Sequence, residues 1–494
     1  MNKICQILQL LRLPTSIQSM GALVSVALLV GSGCGADPPA PALPSSDSRD
    51  SVVPPPHFSA PLTEEPGISL PSNPPEPKLI VVISIDTLRP DHLGLYGHSR
   101  FTSPMLDLFA LKGTVFEDAS SVAPWTLPAH ASMLTGLYPL KHGVIDPDTR
   151  LGDEIPTLAK LLGDRGWRTA AAVNSSWILK KNHELARDFD LFYFVESVAD
   201  QRLPTRRITD RAIQWIRESD GSKLFVFMHY YDVHSDYLSL PKYENLFVTP
   251  YDGQVDGSTW QLNLASLPEA YIESCQTDAD EKRCRFGWGP SSHLVDSSVR
   301  KFELGAMDVQ HLEELYDAGI RQLDDELGRF FKFLEDTGLL EDARIVITSD
   351  HGEEFLEHGR AYHFETTYQE VLRVPLIFRG AGIPAGRRIP SPVSIVDIVP
   401  TILSWAGLDV PPEIDGLDLT PLLGASLEGD ESNTLQRLLN ERYQYGEAAG
   451  GIIWVEKAEG MFPIFHSVRQ GDYKLVYQSG GRGTALYNLK LDPG

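Results

Sequence analysis

The chain has 494 residues, of which 42% are hydrophobic and 9% aromatic. This content is enough to bury a sizeable core, which excludes a globally disordered protein, and the length allows about two to four domains. A formal net charge of −24 argues against nucleic acid as a partner, because phosphate backbones bind to a basic face. Four cysteines are too few for a disulfide-stabilised scaffold.

Residues 1–34 are predicted to be an export signal. Lys3 and Arg12 precede an apolar run, Met20 to Val30, which has the length of a signal h-region and is too short to span a bilayer. Small residues then lead into Cys34, in a pattern that resembles the cleavage site of a bacterial lipoprotein. We therefore expect an exported protein, periplasmic or held at the membrane by a lipid anchor on Cys34, with plain secretion as the alternative.

The segment that follows, residues 35–78, contains 13 of the 36 prolines, with Ser and Asp between them. Such a composition cannot build a core and stays extended. We predict a disordered tether that joins the cell envelope to a folded body.

Four short apolar runs have the length and the β-branched content of buried strands. They are Leu79–Ile85, Thr169–Val173, Leu224–Met228 and Arg344–Thr348. Helical patterns lie between them, the clearest from Val309 to Leu339 with apolar residues three or four positions apart. The alternation predicts an α/β fold, with a mostly parallel central sheet sandwiched by helices. We assign residues 79–430 to this body and residues 431–494, which end in strand patterns, to a small β-rich C-terminal subdomain.

Residues 237–302 lack sustained periodicity and are rich in Gly, Ser, Asp and aromatic residues. We predict an insertion that acts as a lid over the site. Cys275 and Cys284 lie within it, nine residues apart, and the oxidising compartment expected for an exported protein predicts a small disulfide loop between them.

Ligand-type side chains follow three of the predicted strands. They are Asp86 after the first, His229, Asp232 and His234 at the end of the third, and Asp350 and His351 after the fourth. In open α/β sheets, ligands bind at the carboxyl ends of the strands. Carboxylate oxygens and imidazole nitrogens suit a divalent cation such as Zn, Mn or Ca. A single acid at a strand end is more often a helix cap, but three such ends predict a metal site.

Three segments resemble the signatures of the sulfatase branch of the alkaline phosphatase superfamily. They are VVISIDTLRPDHLGLYG, APWTLPAHASMLTGLYPLKHG and VITSDHGEEFLEHG. Further matches, such as EVLRVPLIFRGAG and VRQGDYKLVY, extend the resemblance from about Lys78 to the end. It implies the fold of that superfamily and a metal-dependent hydrolase that acts on ester bonds. Family members usually continue beyond the equivalent of LDPG, so we expect a truncated C-terminus.

The resemblance places Thr126 at the nucleophile position. Sulfatases carry C/S-x-P-x-R there, and the Cys or Ser is oxidised to formylglycine, whereas this chain has TLPAH. Thr is not a known substrate for that oxidation, and His130 replaces the Arg that orients the nucleophile. Both departures favour relatives that attack phosphorus with an unmodified Thr or Ser.

The same chemistry follows from the residues themselves. A Thr hydroxyl is a weak nucleophile, and coordination to a divalent cation lowers its pKa. Pro128 and the pattern after it suggest a helix that begins near Thr126, whose N-terminus favours a tetrahedral anion. We expect Thr126 to attack in line, while His130, His234 or His363 binds the anion or protonates the leaving group.

The expected function is hydrolysis of phosphate mono- or diesters of a small molecule, glycan or lipid. Alternatives within enzymes are a sulfuric ester hydrolase and a phosphotransferase acting on lipid or glycan. A catalytically inactive binding module that kept the fold is the alternative from another class.

The resemblance implies a first metal site of Asp86, Thr126, Asp350 and His351. Calcium-binding sulfatases have a further Asp at the position of Thr87, so Ca, Zn and Mn all stay open. A second metal site and contacts to the substrate anion compete as roles for five more residues. These are His229, Asp232, His234, His358 and His363.

Several neighbouring polar residues are expected to be structural. Asp91 and His92 are predicted to serve in a turn and in packing. Glu353 and Glu354 are predicted at a helix start, where acids favour the dipole. Asn174, beyond the second predicted strand, is expected to be a loop amide, with contact to the substrate as the alternative.

Overall fold

The computed structural model describes residues 76–179, 183–196, 202–267, 269, 272–273, 285–286, 293–294, 301–424, 426–448, 464–479 and 483–491. The chain divides into two units, Met1–Phe58 and Ser59–Gly494, and all described residues belong to the second. The predicted export signal, most of the predicted tether and both cysteines of the predicted disulfide lie outside the described residues. Within the described part of the chain, no helix is long and apolar enough to cross a membrane.

A nine-stranded sheet forms the centre of the described fold. In chain order the described strands are β1 (Leu79–Ile85), β2 (Thr114–Ser120), β3 (Arg168–Val173), β4 (Leu191–Phe194), β5 (Leu224–Tyr230), β6 (Arg285–Phe286), β7 (His293–Leu294), β8 (Ala343–Ser349), β9 (Glu354–Phe355), β10 (Ala361–Tyr362), β11 (Arg373–Gly380), β12 (Arg387–Ile389), β13 (Val393–Ser394), β14 (Gln444–Ala448), β15 (Phe465–Gln470), β16 (Tyr473–Gln478) and β17 (Gly483–Asn488). The sheet order is β12-β2-β11-β8-β1-β5-β3-β4, with β13 paired to β2. All neighbours are parallel except β11, which is antiparallel to both β8 and β2. The predicted mostly parallel sheet is confirmed.

Helices surround this sheet. They are α1 (Pro104–Ala110), α2 (Thr126–Thr135), α3 (Pro139–His142), α4 (Leu158–Gly163), α5 (Arg202–Glu218), α6 (Pro241–Phe247), α7 (Thr259–Ser266), α8 (Ala306–Asp336), α9 (Gln369–Leu372), α10 (Ile398–Trp405) and α11 (Asp430–Glu441). The predicted long helix is α8, but it ends at Asp336 rather than at Leu339. The reason is Gly338, whose φ of 69° lies in the left-handed region that ends helices.

The strands at the centre of the sheet are apolar on both faces. Every residue of β1, β5 and β8 is buried, although successive side chains point to opposite faces. Both faces must therefore be covered, as the continuous apolar runs in the sequence predict. The four predicted strands are all present, and three of them extend one or two residues beyond the predicted ends.

The C-terminal strands β14 to β17 form a separate antiparallel sheet, as predicted. Arg469 of β15 pairs through both terminal nitrogens with Asp118 of β2, which attaches this small sheet to the central one. Lys474 of β16 donates to Gln369 of α9 at 2.7 Å. Polar side chains that are mostly buried thus connect the C-terminal sheet to the central domain.

The structure confirms the predicted turn at Asp91 and His92 but not the predicted helix start at Glu353 and Glu354. Asp91 and His92 lie in a short 3-10 turn, where Asp91 pairs with Arg89 and His92 is buried, as expected. The prediction of a helix start at Glu353 and Glu354 is wrong. Glu354 opens the short strand β9, which pairs with β10, and both carboxylates are buried rather than exposed at a helix N-terminus.

The region predicted as an insertion contains α6, α7 and the two-stranded sheet of β6 and β7 among its described residues. At its start, the hydroxyl of Tyr237 donates to Glu353 at 2.9 Å. Its role as a lid stays a prediction.

Arg442 and Asp397 form a buried ion pair whose loss should destabilise the fold. Asp397 is fully buried and accepts two hydrogen bonds from Arg442, at 2.7 and 2.8 Å. Arg442→Met leaves that carboxylate without its partner, so we expect the free energy of unfolding to fall by about 3–5 kcal/mol in urea denaturation. The exposed pair of Lys332 and Asp336 is the control, since Lys332→Met should cost less than about 1 kcal/mol. Equal effects of the two variants would contradict this account.

Lys474 predicts a pH dependence of stability. Burial lowers its pKa from 10.5 to about 7, with a further lowering from the charge of Arg469. Between these values the unfolded chain holds the proton and the folded chain does not, so stability rises with pH from about 7 to 10.5. Urea denaturation across this range should show a gain on the order of 5 kcal/mol that Lys474→Met lacks. An unchanged slope in the variant would assign the pH dependence to other groups.

Candidate active site

The three strands that carry the predicted ligands are neighbours in the sheet. β1 lies between β8 and β5 and is parallel to both, so their carboxyl ends meet at one edge. Asp86 follows β1 directly, Asp350 and His351 follow β8, and His229 lies one residue before the end of β5. The strand order therefore brings these four side chains together.

Ser349, the last residue of β8, holds the turns after β1 and β8 together. Its hydroxyl lies 2.6 Å from the carbonyl of Ile85 and 2.6 Å from that of His351, and it accepts from the backbone N–H of Leu88 at 3.0 Å. Thr87, in the turn after β1, has a φ of 57°, which is strained for a β-branched residue. The strain is stored directly beside Asp86, at the point where the chain leaves the sheet.

Thr126 is the first residue of α2. Trp125 before it is extended, and Pro128 fits the first helical turn because an N–H is not needed there. Thr126 is 1% exposed, and its hydroxyl donates to the Oδ2 of Asp86 at 3.4 Å. The helix N-terminus and the strand edge thus meet at this hydroxyl.

Three buried acceptor atoms face one another at the centre of the site. The Nδ1 of His351 donates to the carbonyl of Gly352 at 2.9 Å, which leaves the Nε2 lone pair free. That Nε2 lies 3.4 Å from the Oδ1 of Asp86 and 3.4 Å from the Oδ2 of Asp350. All three atoms lack a hydrogen-bond partner among the described residues. Buried acceptors that face each other repel, and a cation between them would satisfy all three, so these residues fit a metal ion.

His229 faces the same carboxylate from the other side. Its Nδ1 lies 3.3 Å from the Oδ1 of Asn174, which can only accept, so this nitrogen carries the proton. Its Nε2 lies 3.3 Å from the Oδ2 of Asp86 and has no partner in the described chain. A histidine whose distal nitrogen is held by an acceptor is a typical metal ligand. Asn174 therefore orients His229.

Burial, and for Asp350 also charge repulsion, shifts the pKa values of this cluster. Burial raises the pKa of Asp86, and burial together with the charge of Asp86 raises that of Asp350. Burial lowers the pKa of His229 to about 4, which keeps its imidazole neutral. Neutral imidazoles and carboxylates are the forms that bind metals, and a cation would draw the carboxylates back to their charged state.

His130 does not have the free nitrogen that a proton donor or anion ligand needs. Its Nδ1 donates to the carbonyl of Thr126 at 2.8 Å, because that oxygen can only accept. Its Nε2 lies 3.0 Å from the Ser84 hydroxyl, from which it accepts. Burial lowers its pKa to about 3. This geometry argues against the predicted role of His130 as a proton donor or anion ligand, because the ring bonds to the backbone carbonyl of Thr126, the predicted nucleophile.

His234 and His363 lie beside His351. The rings of His363 and His351 are 4.5 Å apart, and those of His234 and His363 are 4.9 Å apart. His363 Nδ1 bonds to Glu353 at 2.8 Å, whereas its Nε2 is unpartnered among the described residues. Sequence reasoning assigned Glu353 only to a helix start, although this residue belongs to the matched DHGEE segment.

The five residues considered for a second metal site do not assemble into one cluster. Asp232 bonds to the hydroxyl of Thr205 on α5, and so faces away from the strand edge. His358 bonds to Glu370 at 2.5 Å and stacks on Tyr368 at 3.7 Å. Asp232 thus contacts a helix, and His358 contacts Glu370 and an aromatic ring. Spacing along the sequence does not reveal these contacts. Only His229, His234 and His363 remain near the first site.

A family model described as Sulfatase matches residues 78–408. The N-acetylglucosamine-6-O-sulfatase of Bacteroides thetaiotaomicron is 24% identical over 470 residues, which cover 84% of this chain and 81% of that protein.

Two solved structures share the fold. The phosphonate monoester hydrolase of Agrobacterium radiobacter aligns with a TM-score of 0.62 at 20% identity, covering 84% of this chain and 90% of its own. A structure with its substrate D-glucosamine-2-N,6-O-disulfate aligns with a TM-score of 0.62 at 22% identity, covering 85% of this chain and 92% of its own.

Asp350 is expected to be essential for metal binding. Asp350→Asn keeps the shape but removes the charge of an oxygen that faces Asp86 and His351, so elemental analysis should find about one divalent ion per chain fewer than in wild type. Asp232→Asn is the matched control, because this acid also has a buried carboxylate oxygen and follows a neighbouring strand yet faces α5. Metal content that is unchanged in Asp350→Asn, or lost equally in both variants, would remove the cluster as the site.

Proposed function

Because this chain belongs to the sulfatase family, and is therefore a hydrolase that acts on ester bonds, we propose that it cleaves sulfuric esters with the unmodified hydroxyl of Thr126 as nucleophile. The observation that carries the proposal is the contact of this hydroxyl with Asp86, inside a cluster of buried acceptors suited to a cation. We favour sulfuric esters over the phosphate esters expected from the sequence, because the family model and the N-acetylglucosamine-6-O-sulfatase relative both point to sulfatases.

Asp86, Asp350 and His351 would hold a divalent cation, with His229 against the other oxygen of Asp86. When bound, such an ion supplies positive charge that lowers the pKa of a nearby hydroxyl and stabilises the substrate anion. Ca, Zn and Mn remain the candidates for its identity.

The side chains of this protein orient the reaction. Asp86 accepts from the Thr126 hydroxyl and so aims its oxygen, while the N-terminus of α2 favours the anionic sulfate group. His363 and His234 border the cluster, and we assign them contacts to the sulfate oxygens. The near-complete burial of Thr126 excludes bulk water from the reacting atoms.

The reaction has two steps. The Thr126 oxygen attacks sulfur, the bond from sulfur to the alcohol oxygen breaks, and the alcohol leaves with a proton equivalent to the one that Thr126 lost. Water then attacks sulfur in the threonine sulfate ester, which releases inorganic sulfate and restores the hydroxyl. An acceptor alcohol in place of water would make the second step a transfer.

The substrate class follows from the relatives as part of the proposal. One solved neighbour binds D-glucosamine-2-N,6-O-disulfate, and the curated relative is named for N-acetylglucosamine-6-O-sulfate chemistry. We extend the class of sulfated glycans or small sugar sulfates to this chain. Export, and a lipid anchor on Cys34, stay predictions from the sequence.

A phosphate or phosphonate ester hydrolase is the second candidate. Two observations favour it: the shared fold with a phosphonate monoester hydrolase, and the Thr126 and His130 that stand where formylglycine sulfatases have Cys or Ser and Arg. An unmodified hydroxyl suits attack on phosphorus as well as on sulfur.

Catalytic turnover should require the hydroxyl of Thr126. With nitrophenyl sulfate and added Ca, Zn or Mn, Thr126→Ala should lower kcat by a factor on the order of 10³ or more, because the attacking atom is removed. Thr126→Ser keeps the hydroxyl and should retain part of the rate. Peptide mass spectrometry of the active protein should find Thr126 unmodified.

The same assay separates the candidates. Turnover of nitrophenyl phosphate or bis-nitrophenyl phosphate without turnover of the sulfate would favour phosphorus. Inertness towards all three substrates with every metal would favour a binding module. Near wild-type activity of Thr126→Ala, in a variant with an unchanged circular dichroism spectrum, would remove Thr126 from the mechanism.

A further inference from the structure

A second group of buried polar atoms without partners lies in the segment from β9 to α9. The Oε1 of Glu354, the Oγ1 of Thr366, the Oγ1 of Thr367 and the Oε2 of Glu370 have no hydrogen-bond partner within the described part of the chain. Their residues are between 0% and 7% exposed. Unpartnered acceptors at this degree of burial are the signature that also marks the active site.

Backbone packing brings these residues together. The N–H of Gly352 donates to the carbonyl of Val371 at 2.8 Å, and a Cβ at Gly352 would lie only 2.0 Å from the carbonyl oxygen of Glu370. The chain before β9 therefore lies directly against α9. The two carboxylates come close enough that, after burial, the charge of Glu370 is the main cause raising the pKa of Glu354.

The positive side chains around the pair are engaged elsewhere. Arg360, the cation that faces Glu354, pairs with Glu365. His358 bonds to the Oε1 of Glu370 and leaves its Oε2 without a partner. Lys474, which also faces Glu370, donates to Gln369. Each carboxylate thus keeps one buried oxygen without a hydrogen-bond donor, which is costly unless a cation or a proton lies between the two acids.

We propose that Glu354, Glu370 and Thr366 bind a hard divalent cation of the calcium type, at a structural site separate from the active site. All available ligand atoms are oxygens, two from carboxylates and one from a hydroxyl. Calcium accepts such a mixed set and completes its six to eight ligands with carbonyls and water. The Thr366 hydroxyl lies beside the Glu354 carboxylate without hydrogen-bond geometry, as a shared ligand would.

The proposed calcium site lies in a segment that contacts both the active site and the C-terminal sheet. The segment between its two acids carries His363, whose ring lies beside His351. The same segment contacts the C-terminal sheet, since Tyr368 packs on Phe465 and a Cβ at Gly446 would lie 3.6 Å from Thr367. A cation bound here would fix this segment between the active site and the C-terminal sheet.

Calcium stoichiometry tests the proposal. Chelator-stripped full-length protein is dialysed against calcium chloride, and bound calcium is counted by elemental analysis. We expect Glu354→Gln to bind one calcium fewer than wild type. Glu357→Gln is the matched control, because it removes the same charge from the same segment but its oxygens are already bonded to Arg89 and to the N–H of Phe355. It should bind as many as wild type.

A second measurement avoids the active-site metal. In an Asp350→Asn background, added calcium should still raise the melting temperature, and it should not do so once Glu354→Gln is also present. Thr366→Val keeps shape and charge and should weaken calcium binding about tenfold, which makes the test independent of how Glu354→Gln folds. Unchanged stoichiometry and calcium response in Glu354→Gln and Thr366→Val would show that a proton, not a cation, joins the two acids, and would overturn the proposal.

Discussion

The site depends on the burial of acceptor atoms that face one another. Asp86, Asp350 and His351 are fully buried, and the free Nε2 of His351 lies 3.4 Å from an oxygen of each carboxylate. Taking each carboxylate out of water costs several kcal/mol, so the packing of the surrounding sheet must offset that cost. A bound cation would offset this cost, because the free energy of metal binding contributes to the free energy of folding.

The sheet supplies the rigidity that this arrangement needs. β1 is apolar on both faces and lies between two parallel neighbours, so the turn after it has little freedom. The Ser349 hydroxyl joins the turns after β1 and β8, and Thr87 accepts a left-handed backbone beside Asp86. Such strain persists only where surrounding contacts over-determine the position, and it is common at active sites.

The metal cluster and the nucleophile segment depart from the family to different degrees. The cluster keeps Asp86, Asp350 and His351 and has Thr87 in place of one further Asp, whereas the segment at α2 has Thr126 and His130 in place of the usual residues. His130 still contacts the nucleophile residue, but through the Thr126 carbonyl rather than through a free cationic group. In the proposed mechanism, attack therefore depends on the Thr126 hydroxyl and its neighbours, with no arginine at position 130 to stabilise the anion.

The sequence alone determined the central strands, because LIVVISI and RIVIT are apolar at nearly every position and only burial on both faces explains such runs. It also determined the ligand types, because Asp86, Asp350 and His351 directly follow strands. β2 and β11 escaped prediction, since Glu117 and Asp118 in one and Pro375 in the other break the apolar pattern.

Only the tertiary structure decided which strand ends are neighbours, and with them which histidines face the cluster. His229 lies against Asp86 because β5 pairs with β1, whereas Asp232, three residues later, turns towards α5. Sequence spacing records the distance along the chain, but a binding site is built from distances through space. Those distances are set by strand order and by competing hydrogen-bond partners that belong to remote segments.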